Sequence, residues 1–410
     1  MTIHRHVAPT GTSPRDGLSP VSAMRFVIFL GIVSLFADMT YEGGRSISGP
    51  YLHFLGASAT VVGFIAGFGE LLGYGLRIVS GYLSDKTGRY WTITIVGYLL
   101  NLFAVPALAL TGHWPAAVAL MMLERTGKAI RNPARDAMLA HASGEMGRGW
   151  GFGLHEAMDQ TGALIGPLVV AFVLHRNGGH YPLAFAVLLI PAVLSVTTLL
   201  IARAQYPRPA DLEVATPEIE REGIPRLFWL YAAAGSLIAA GYADFTLIAY
   251  HFARHAVVSP AMIPILYAIA MGAAALSALI AGKLFDRIGL AVVLASALVA
   301  SVFAPLVFFG HFWLAILGMV LWGLGMGVQE SIVRAALADM VAADRRAAAY
   351  GMFDTCYGVS WFLGSALMGI LYDRSVSALV VFSVSAQLAA LPFLFFVYRR
   401  MRSAEAIERA

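Results

Sequence analysis

The segment GYLSDKTG, residues 81–88, has a second copy later in the chain, GKLFDRIG at residues 282–289. The copies share a glycine, a leucine, an aspartate and a closing glycine at the same spacing, and each follows a long apolar run. A motif that recurs at the same point of two apolar segments indicates that one unit was duplicated.

Two further pairs of segments recur in the same order. FADMT at residues 36–40 matches YADFT at residues 242–246, which pairs Asp38 with Asp244. A third set matches Gly153, Glu156 and Gly166 with Gly351, Asp354 and Gly364. Internal duplication with a site between the repeats is typical of membrane transporters.

The composition is that of an integral membrane protein. Hydrophobic residues make up 59% of the 410 residues and charged residues only 13%, with a mean hydropathy of +0.73. A soluble chain of this length needs far more charge to cover its surface. The net charge of +4 is spread along the chain, which does not favour nucleic-acid binding. The single cysteine, Cys356, excludes an intramolecular disulfide and a cysteine-based metal cluster.

Twelve apolar runs are long enough to cross a bilayer, which takes about 20 residues of helix. Their approximate bounds are 24–41, 59–80, 91–112, 115–141, 151–174, 182–203, 226–250, 262–281, 289–310, 312–338, 348–371 and 377–398, numbered here as spans 1 to 12. The sequence predicts an all-α integral membrane protein with two pseudo-symmetric six-helix bundles.

These bundles occupy residues 24–203 and 226–398. Residues 204–225 carry four prolines and five acids and are expected to form a linker. Residues 1–23 and 399–410 are expected to be terminal tails. With the N-terminus inside, eighteen Lys and Arg residues flank the spans on the cytoplasmic side and only Arg45, Arg176, Arg254 and Arg374 lie outside. This asymmetry predicts that both termini and the linker are cytoplasmic.

The segment GYLSDKTGR, Gly81 to Arg89, resembles the loop signature of the major facilitator superfamily, G-x-L-[AS]-D-[RK]-x-G-R. The second copy lacks the final arginine, because Leu290 stands there. The resemblance covers about residues 24–398 and implies a monomeric secondary transporter of the inner membrane that needs no cofactor. It also implies a gating role for the loop residues Gly81, Asp85, Gly88, Arg89, Gly282, Asp286 and Gly289.

By the same resemblance, Asp85 is expected at the N-terminus of span 11 and Arg89 beside Asp136 at the end of span 4. Two weaker motifs agree with the family. ERTGKA, residues 124–129, is similar to its span 4 motif and places Arg125 at the motif's arginine. GALIGP, with Gly162, Gly166 and Pro167, resembles its antiporter motif, a helix-packing sequence, but lacks the trailing glycines. The runs 124–138 and 325–340 together are typical of a little-characterised prokaryotic subgroup.

Charged residues inside the spans are the candidates for substrate binding and coupling, because a charge in hydrocarbon needs a cavity or a partner. They are Asp38, Glu42, Arg125, Lys128, Arg131, His155, Glu156, Asp159, Asp244, Glu330, Arg334 and Asp354. Their alternative role is an ion-pair network that holds the helices without touching substrate. That alternative is favoured for Arg135, Asp136, Arg334 and Asp339.

One face of span 4 carries several of these charges, since Glu124, Lys128, Arg131 and Arg135 follow helical spacing. Arg135 lies at the depth of Glu156, and Arg131 at the depth of Asp159, so pairs between spans 4 and 5 are expected. Arg334 and Asp354 repeat this arrangement in the second half. Arg125 and Lys128 lie deepest and are expected to line the cavity as anion-binding or coupling groups.

Asp38 and Asp244 are candidates for proton carriers, with hydrogen bonding to the backbone as their alternative. Seven of the eleven histidines fall on the predicted outer face, but scattered loop histidines predict no metal site. No P-loop, H-E-x-x-H or G-x-S-x-G sequence occurs, so an enzyme is the least favoured class.

The predicted function is secondary active, proton-coupled efflux of a small solute by antiport, with an anionic or an amphipathic solute as the two classes expected. Uptake by symport, and a receptor or scaffold built on the same fold, are the alternatives. The expected partners are the bilayer, the solute and protons, with no nucleic acid.

Overall fold

A computed structural model describes residues 20–142, 148–207, 226–340 and 346–408. Within these residues the chain forms twelve helical spans, and the expectation of an all-helical membrane protein is confirmed. Because the number of spans is even, the first begins and the last ends on the same side of the molecule. We call this the termini side and the opposite one the far side.

The first half contains six spans, two of them with local breaks. Their bounds are Pro20–Phe54 for span 1, Ala59–Thr87 for span 2, Tyr90–Ala107 with a 3₁₀ turn at Leu108–Leu110 for span 3, Trp114–Ala142 for span 4, Arg148–Arg176 for span 5, and Tyr181–Val187 with Leu189–Gln205 for span 6.

The second half repeats this order. Its bounds are Arg226–Gly241 with Phe245–Arg254 for span 7, Met262–Ile288 for span 8, Ala291–Ala300 with Phe303–Phe309 for span 9, Phe312–Met340 for span 10, Arg346–Arg374 for span 11, and Val376–Glu408 for span 12.

Eleven of the spans contain a window long and apolar enough to cross a membrane. The exception among the described helices is span 4, because it carries a charged face. Span 1 extends to Phe54, so the expected end at residue 41 is wrong. Arg45, which the charge count placed outside the membrane, therefore lies within a spanning helix. Its guanidinium is paired with buried carboxylates, and this pairing removes most of the cost of burying it.

The two copies of the loop motif end their helices in the same way. Gly88 and Gly289 have φ angles of 63° and 60°, and each donates its N–H to the carbonyl four residues earlier, on Ser84 and Phe285. Residues with a Cβ rarely adopt this conformation. The glycines shared by the two sequence motifs are thus explained by helix termination.

Small residues allow close packing of helices within each half. A Cβ built at Gly162 or Gly166 of span 5 would overlap the carbonyl oxygen of Leu35 or Met39 of span 1. In the second half, Gly364 of span 11 stands in the same relation to the carbonyl of Ala240 in span 7. Such contacts are typical of membrane helices, where backbones approach closely at small residues.

The two halves share one apolar core on the far side and have separate cores on the termini side. The shared cluster contains Tyr51 and Phe185 from the first half together with Phe245 and Trp322 from the second. On the termini side, one cluster includes Phe26 and belongs to the first half, while another belongs to the second. Among the described residues, the apolar cluster that the two halves share therefore lies on the far side.

A hydrogen-bonded cap closes the far side. Asp373, near the end of span 11, accepts bonds from the backbone N–H groups of Ala59 and Thr60, at 3.2 and 2.7 Å, and from the Thr60 hydroxyl at 2.7 Å. A carboxylate at a helix N-terminus is favoured by the helix dipole. Across this contact, the second half holds the start of span 2 in the first half.

We expect the close contact at Gly162 to be required for stability. Gly162→Ala should lower the free energy of unfolding by about 1–3 kcal/mol, because the new methyl group forces spans 1 and 5 apart. The measurement is thermal unfolding of the purified protein in detergent.

Gly272→Ala in span 8 is the matched control, since a Cβ there meets nothing within 4 Å. It should leave stability unchanged or raise it by up to about 1 kcal/mol through helix propensity. Equal stability of the two variants would contradict the packing role of Gly162.

Candidate functional site

A cavity of about 740 Å³ lies between the two halves. Spans 1, 2, 4 and 5 contribute one side of it, and spans 8, 10 and 11 the other. Its charged and amide-bearing lining residues are Glu42, Arg45, Glu70, Arg77, Arg125, Lys128, Glu156, Gln160, Gln329, Glu330 and Asp354. The volume is within the range of pockets that bind small organic molecules.

Arg125 is held by three neighbouring side chains of the first half. Its Nη1 donates to the Tyr41 hydroxyl at 2.5 Å and to Glu70 Oε1 at 2.9 Å, and its Nε lies 3.6 Å from Glu124 Oε2. The Lys128 ammonium, one turn along span 4, lies 3.5 Å from the centre of the Tyr41 ring. Both cations therefore share Tyr41, through its hydroxyl and its ring face.

The ion pairs continue from span 4 across to the second half. Arg45 Nη2 lies 3.6 Å from Glu70 Oε1 and donates to Asp244 Oδ2 at 3.0 Å. The resulting series is Glu124, Arg125, Glu70, Arg45 and Asp244, which we call the charge chain. It joins spans 4, 2 and 1 of the first half to span 7 of the second.

Two local features hold the far end of the charge chain. Asp244 caps the second helix of span 7 by accepting the Thr246 N–H at 2.8 Å. Next to it, Tyr267 of span 8 donates to Glu42 Oε2 of span 1 at 2.5 Å. Span 1 is thus bound to the second half by one ion pair and one hydrogen bond.

The charge chain forms the floor of the cavity. Beyond it, toward the far side, lies a second cavity of about 40 Å³. Tyr41, Arg45 and Arg125 line both cavities. A layer of side chains therefore separates the large cavity from the small one.

The sequence-predicted residues divide into two groups. Glu42, Arg125, Lys128, Glu156, Glu330 and Asp354 line the cavity. Asp38, Arg131, His155, Asp159 and Asp244 lie away from its lining. The side chain of Arg334 lies outside the described residues.

The pairs expected between spans 4 and 5 form differently. Arg131 is fully buried over the Tyr98 ring and lies 4.0 Å from Asp38 of span 1, so it does not pair with Asp159. Asp159 lies 3.8 Å from His155 Nδ1, on its own helix. Depth alone predicted the pairing, but the rotation of span 4 turns its basic face toward span 1.

Arg135 likewise does not pair with Glu156. Its guanidinium bonds Asp136 Oδ1 at 2.8 and 2.9 Å and the Ser34 hydroxyl at 3.2 Å. Glu156 accepts from Gln160 on its own helix at 2.9 Å.

Only some of the expected gating contacts involve residues whose side chains the structure describes. Asp136 is bonded to Arg135, and Arg89 is exposed, with no ion pair to Asp136 among the described residues. The side chains of Asp85, Asp286 and Asp339 lie outside the described part of the chain.

Three charged residues of the cavity lining were missed as site candidates. Glu70 and Arg77 lie in the glycine-rich run GFGELLGYGLRIV, residues 67–79 of span 2, and Arg45 was placed beyond the end of span 1. The cost of an intramembrane charge, applied to span 2, identifies Glu70 and Arg77 equally well. No signal in the sequence shows that Glu70 bridges two arginines.

The far-side histidines differ in role: His180 caps the first helix of span 6 by accepting the Leu183 N–H at 3.3 Å, whereas His251 belongs to the core. His251 is buried and its Nδ1 lies 2.9 Å from the Tyr372 hydroxyl. Within the described residues, no group of three or more His, Cys, Asp or Glu side chains has the geometry to hold a metal ion.

Known proteins share this architecture. A family model described as Major Facilitator Superfamily matches the chain twice, over residues 22–256 and 229–409. An uncharacterised protein of Mycobacterium tuberculosis is 41% identical over 383 residues, which cover 92% of this chain and 94% of that protein. An uncharacterised MFS-type transporter of Methanocaldococcus jannaschii is 28% identical over 383 residues, with 90% and 94% covered.

Among solved structures, a nucleoside transporter has a TM-score of 0.71 at 14% identity, with 92% of this chain and 99% of that chain covered. At this identity the likeness shows the fold alone. The double match of the family model agrees with the duplicated sequence motifs and the two six-span halves. The chain belongs to the Major Facilitator Superfamily and is a multi-pass membrane transporter.

Proposed function

We propose that this protein is a proton-coupled secondary transporter of a small organic anion that works by alternating access. The observation that carries the proposal is the cavity of about 740 Å³ between two halves that are joined at the far side and separate toward the termini side. The protein acts as a monomer in the inner membrane of a prokaryote, its two bundles at residues 24–203 and 226–398. With both termini cytoplasmic, this conformation faces inward.

Arg125 and Lys128 are the groups that receive the anion. Arg125 shares Glu70 with Arg45, and Lys128 has no carboxylate within 4 Å among the described ion pairs. A substrate carboxylate or phosphate that enters the cavity meets Lys128 and competes with Glu70 for Arg125. Charge-assisted bonds of this kind are strong and directional.

The Arg125–Glu70 contact favours joint binding of a proton and an anion. A proton on Glu70 neutralises the carboxylate that holds Arg125, so the guanidinium is then available to the substrate. Proton and anion therefore favour each other's binding, which is the condition for symport. Under an inward proton gradient this coupling drives uptake.

Efflux by proton antiport is the second candidate, supported by a different observation. The sequence GALIGP resembles the antiporter motif, and its two glycines pack against the carbonyls of span 1. Antiport requires that binding of the proton and binding of the solute exclude each other. A cationic solute bound to Glu70 or Asp244 would meet this requirement, because it competes with the proton for the carboxylate. A receptor or scaffold, the third candidate, moves neither.

Proton movement in proteoliposomes separates these candidates. We expect that addition of a transported anion to vesicles loaded with pyranine acidifies the lumen, because the proton enters with the anion. Antiport gives an alkaline lumen, and a receptor gives no change. A panel of aliphatic and aromatic carboxylates serves as the probe.

In the same assay, Arg125→Met should reduce the initial rate at least tenfold, since a charged hydrogen-bond partner is worth about 1.5–3 kcal/mol. Arg203→Met, an exposed arginine at the termini-side end of span 6, should retain the rate. Equal rates in the two variants would rule out Arg125 as an anion-binding residue.

We expect Asp244→Asn to favour opening of the far side, because it removes the ion pair that joins span 1 to span 7. Loss of one partner from a buried pair costs about 3–5 kcal/mol, so the open population should rise at least tenfold. Electron–electron distances between labels at Leu110→Cys and Trp313→Cys, in a Cys356→Ser background, measure it. These two sites are exposed at the far side of opposite halves.

Asp136→Asn is the matched control for Asp244→Asn. Its ion pair joins neighbours on one helix and does not cross between the halves. A distance distribution that is unchanged in Asp244→Asn would contradict the role of this pair in closing the far side.

A further inference from the structure

The second half holds the loop between spans 1 and 2 at the far side. The Tyr250 hydroxyl of span 7 donates to the Ala57 carbonyl at 3.1 Å. Asp373 of span 11 accepts the N–H groups of Ala59 and Thr60, which begin span 2. All these bonds cross from one half to the other. They have to break when the far side opens.

His53, near the end of span 1, is part of the same contact between the halves. Its ring stands edge-on to the Tyr250 ring, with the ring centres 5.0 Å apart and the planes at 77°. His53 belongs to the first half and Tyr250 to the second, so the imidazole lies at the surface between them. Because the side chain is partly exposed, protons reach it from the far side.

The groups of the second half that face His53 are basic. Arg254 and His255 end the second helix of span 7, and both are exposed. Of the charged groups around the His53 ring, these two act on it most strongly. The His255 ring centre also lies 4.7 Å from that of His251, whose Nδ1 is bonded to the Tyr372 hydroxyl. Protonation of His53 therefore places a cation opposite a cation of the other half.

The carboxylate of this contact is already engaged. Asp373 accepts three hydrogen bonds from Ala59 and Thr60, and its Oδ1 lies 3.6 Å from Arg254 Nη1. Among the described residues, no ion pair joins Asp373 to His53. A positive charge on His53 is therefore opposed by Arg254 and has no carboxylate in contact with it.

The rest of the far-side rim offers no other acid. The rim consists of six segments that together contain three arginines, six histidines and a single acid, Asp373. These segments are residues 48–62, 105–118, 172–190, 254–262, 305–316 and 368–380. A cation on His53 is thus surrounded by groups that are positive or become positive at low pH.

We propose that His53 is a proton sensor that opens the far side of the carrier. While the imidazole is neutral, its ring packs on Tyr250 and the two halves stay closed. A proton on the ring sets it against Arg254, and against His255 once that residue is charged. The closed contact is then destabilised, whereas in the open state water separates these charges. This inference rests on the proposed alternating access and adds its regulation.

The sensor and the coupling site are different groups. Glu70 lies in the cavity and couples the proton to the anion, whereas His53 lies at the far-side contact and changes only which side is open. With both termini cytoplasmic, the far side faces the outside of the cell. Acid outside the cell then favours the outward-open carrier, which is the state that collects proton and anion for uptake.

The pH dependence of the far-side distance tests the sensor. Labels at Leu110→Cys and Trp313→Cys, in the Cys356→Ser background, report opening of the full-length protein in nanodiscs without any substrate. Lowering the pH from about 8 to about 5.5 spans the ordinary protonation of histidine. The open state binds the proton more tightly, so the open population should rise as the pH falls. Repulsion between two partly exposed cations a few ångströms apart corresponds to a rise of about threefold or more.

Two opposite substitutions assign the response to His53. His53→Gln cannot be charged, so its far side should stay closed over the whole pH range. His53→Lys carries the charge throughout the range, so its far side should be open even at about pH 8. His175→Gln, which removes an exposed histidine at the far end of span 5, is the matched control and should keep the response of the parent protein.

The inference is overturned if the distance distribution of the parent protein does not change with pH, if His53→Gln keeps the full pH response, or if His53→Lys is as closed as His53→Gln at about pH 8. These outcomes are distinct from failure of the proposed function. Proton entry with an anion in proteoliposomes, together with distances that do not depend on His53, keeps the transporter and removes the sensor. Opening that depends on His53, with no anion that moves protons, keeps the sensor and removes coupled transport.

Discussion

Arg45 and Asp244 form the contact on which the rest of the site depends. Each is almost completely enclosed by protein, and each comes from a different half. Because Arg45 also lies beside Glu70, and Glu70 holds Arg125, the contact between the halves and the proposed anion-binding cation belong to one electrostatic unit. A change of charge at one end of the charge chain alters the electrostatic energy of the other end directly, because neighbouring charges in the chain are only a few ångströms apart.

The duplicated sequence does not give two equivalent aspartates. Span 1 is continuous through Asp38, which lies near Arg131 of its own half. Span 7 breaks at residues 242–244, and Asp244 begins a new helix while it contacts the other half. The same short motif therefore supports packing in one bundle and the interface between bundles in the other.

Hydrophobicity and repetition were enough to predict the twelve spans, because the bilayer imposes both length and polarity on each helix. The same reasoning predicted that Arg125 and Lys128 face the cavity, since they are the deepest charges of span 4. This reasoning failed to predict the contacts that depend on the direction in which a side chain points. Arg131 turns to Asp38 rather than Asp159, and helical rotation is set by packing against neighbours that one helix does not specify.

The end of span 1 was mispredicted for a related reason. In the sequence, Arg45 looks like a charge that ends a helix. Its partners on spans 2 and 7 are distant in the chain, and they stabilise it inside the bundle. The contact between the rings of Tyr74 and Tyr357, whose centres lie 6.5 Å apart, was also not predicted, because it requires span 2 of one half to meet span 11 of the other. Inter-half contacts of this kind become visible only once the two bundles are assembled.

The floor of the cavity also decides how the carrier responds to membrane voltage. Water in the large cavity is a good conductor compared with packed protein, so the electrical potential falls mainly across the closed far part of the molecule. In the proposed alternating-access cycle, the potential drop passes to the other side of the charge chain when the halves rock. Three acids and two arginines leave the chain with one formal negative charge, and a bound proton cancels it. One charge transferred through the field corresponds to about 2.3 kcal/mol per 100 mV. Under the proposed proton coupling, reorientation of the empty carrier is therefore electrogenic, whereas reorientation with the proton bound is insensitive to voltage until the substrate's own charge is added.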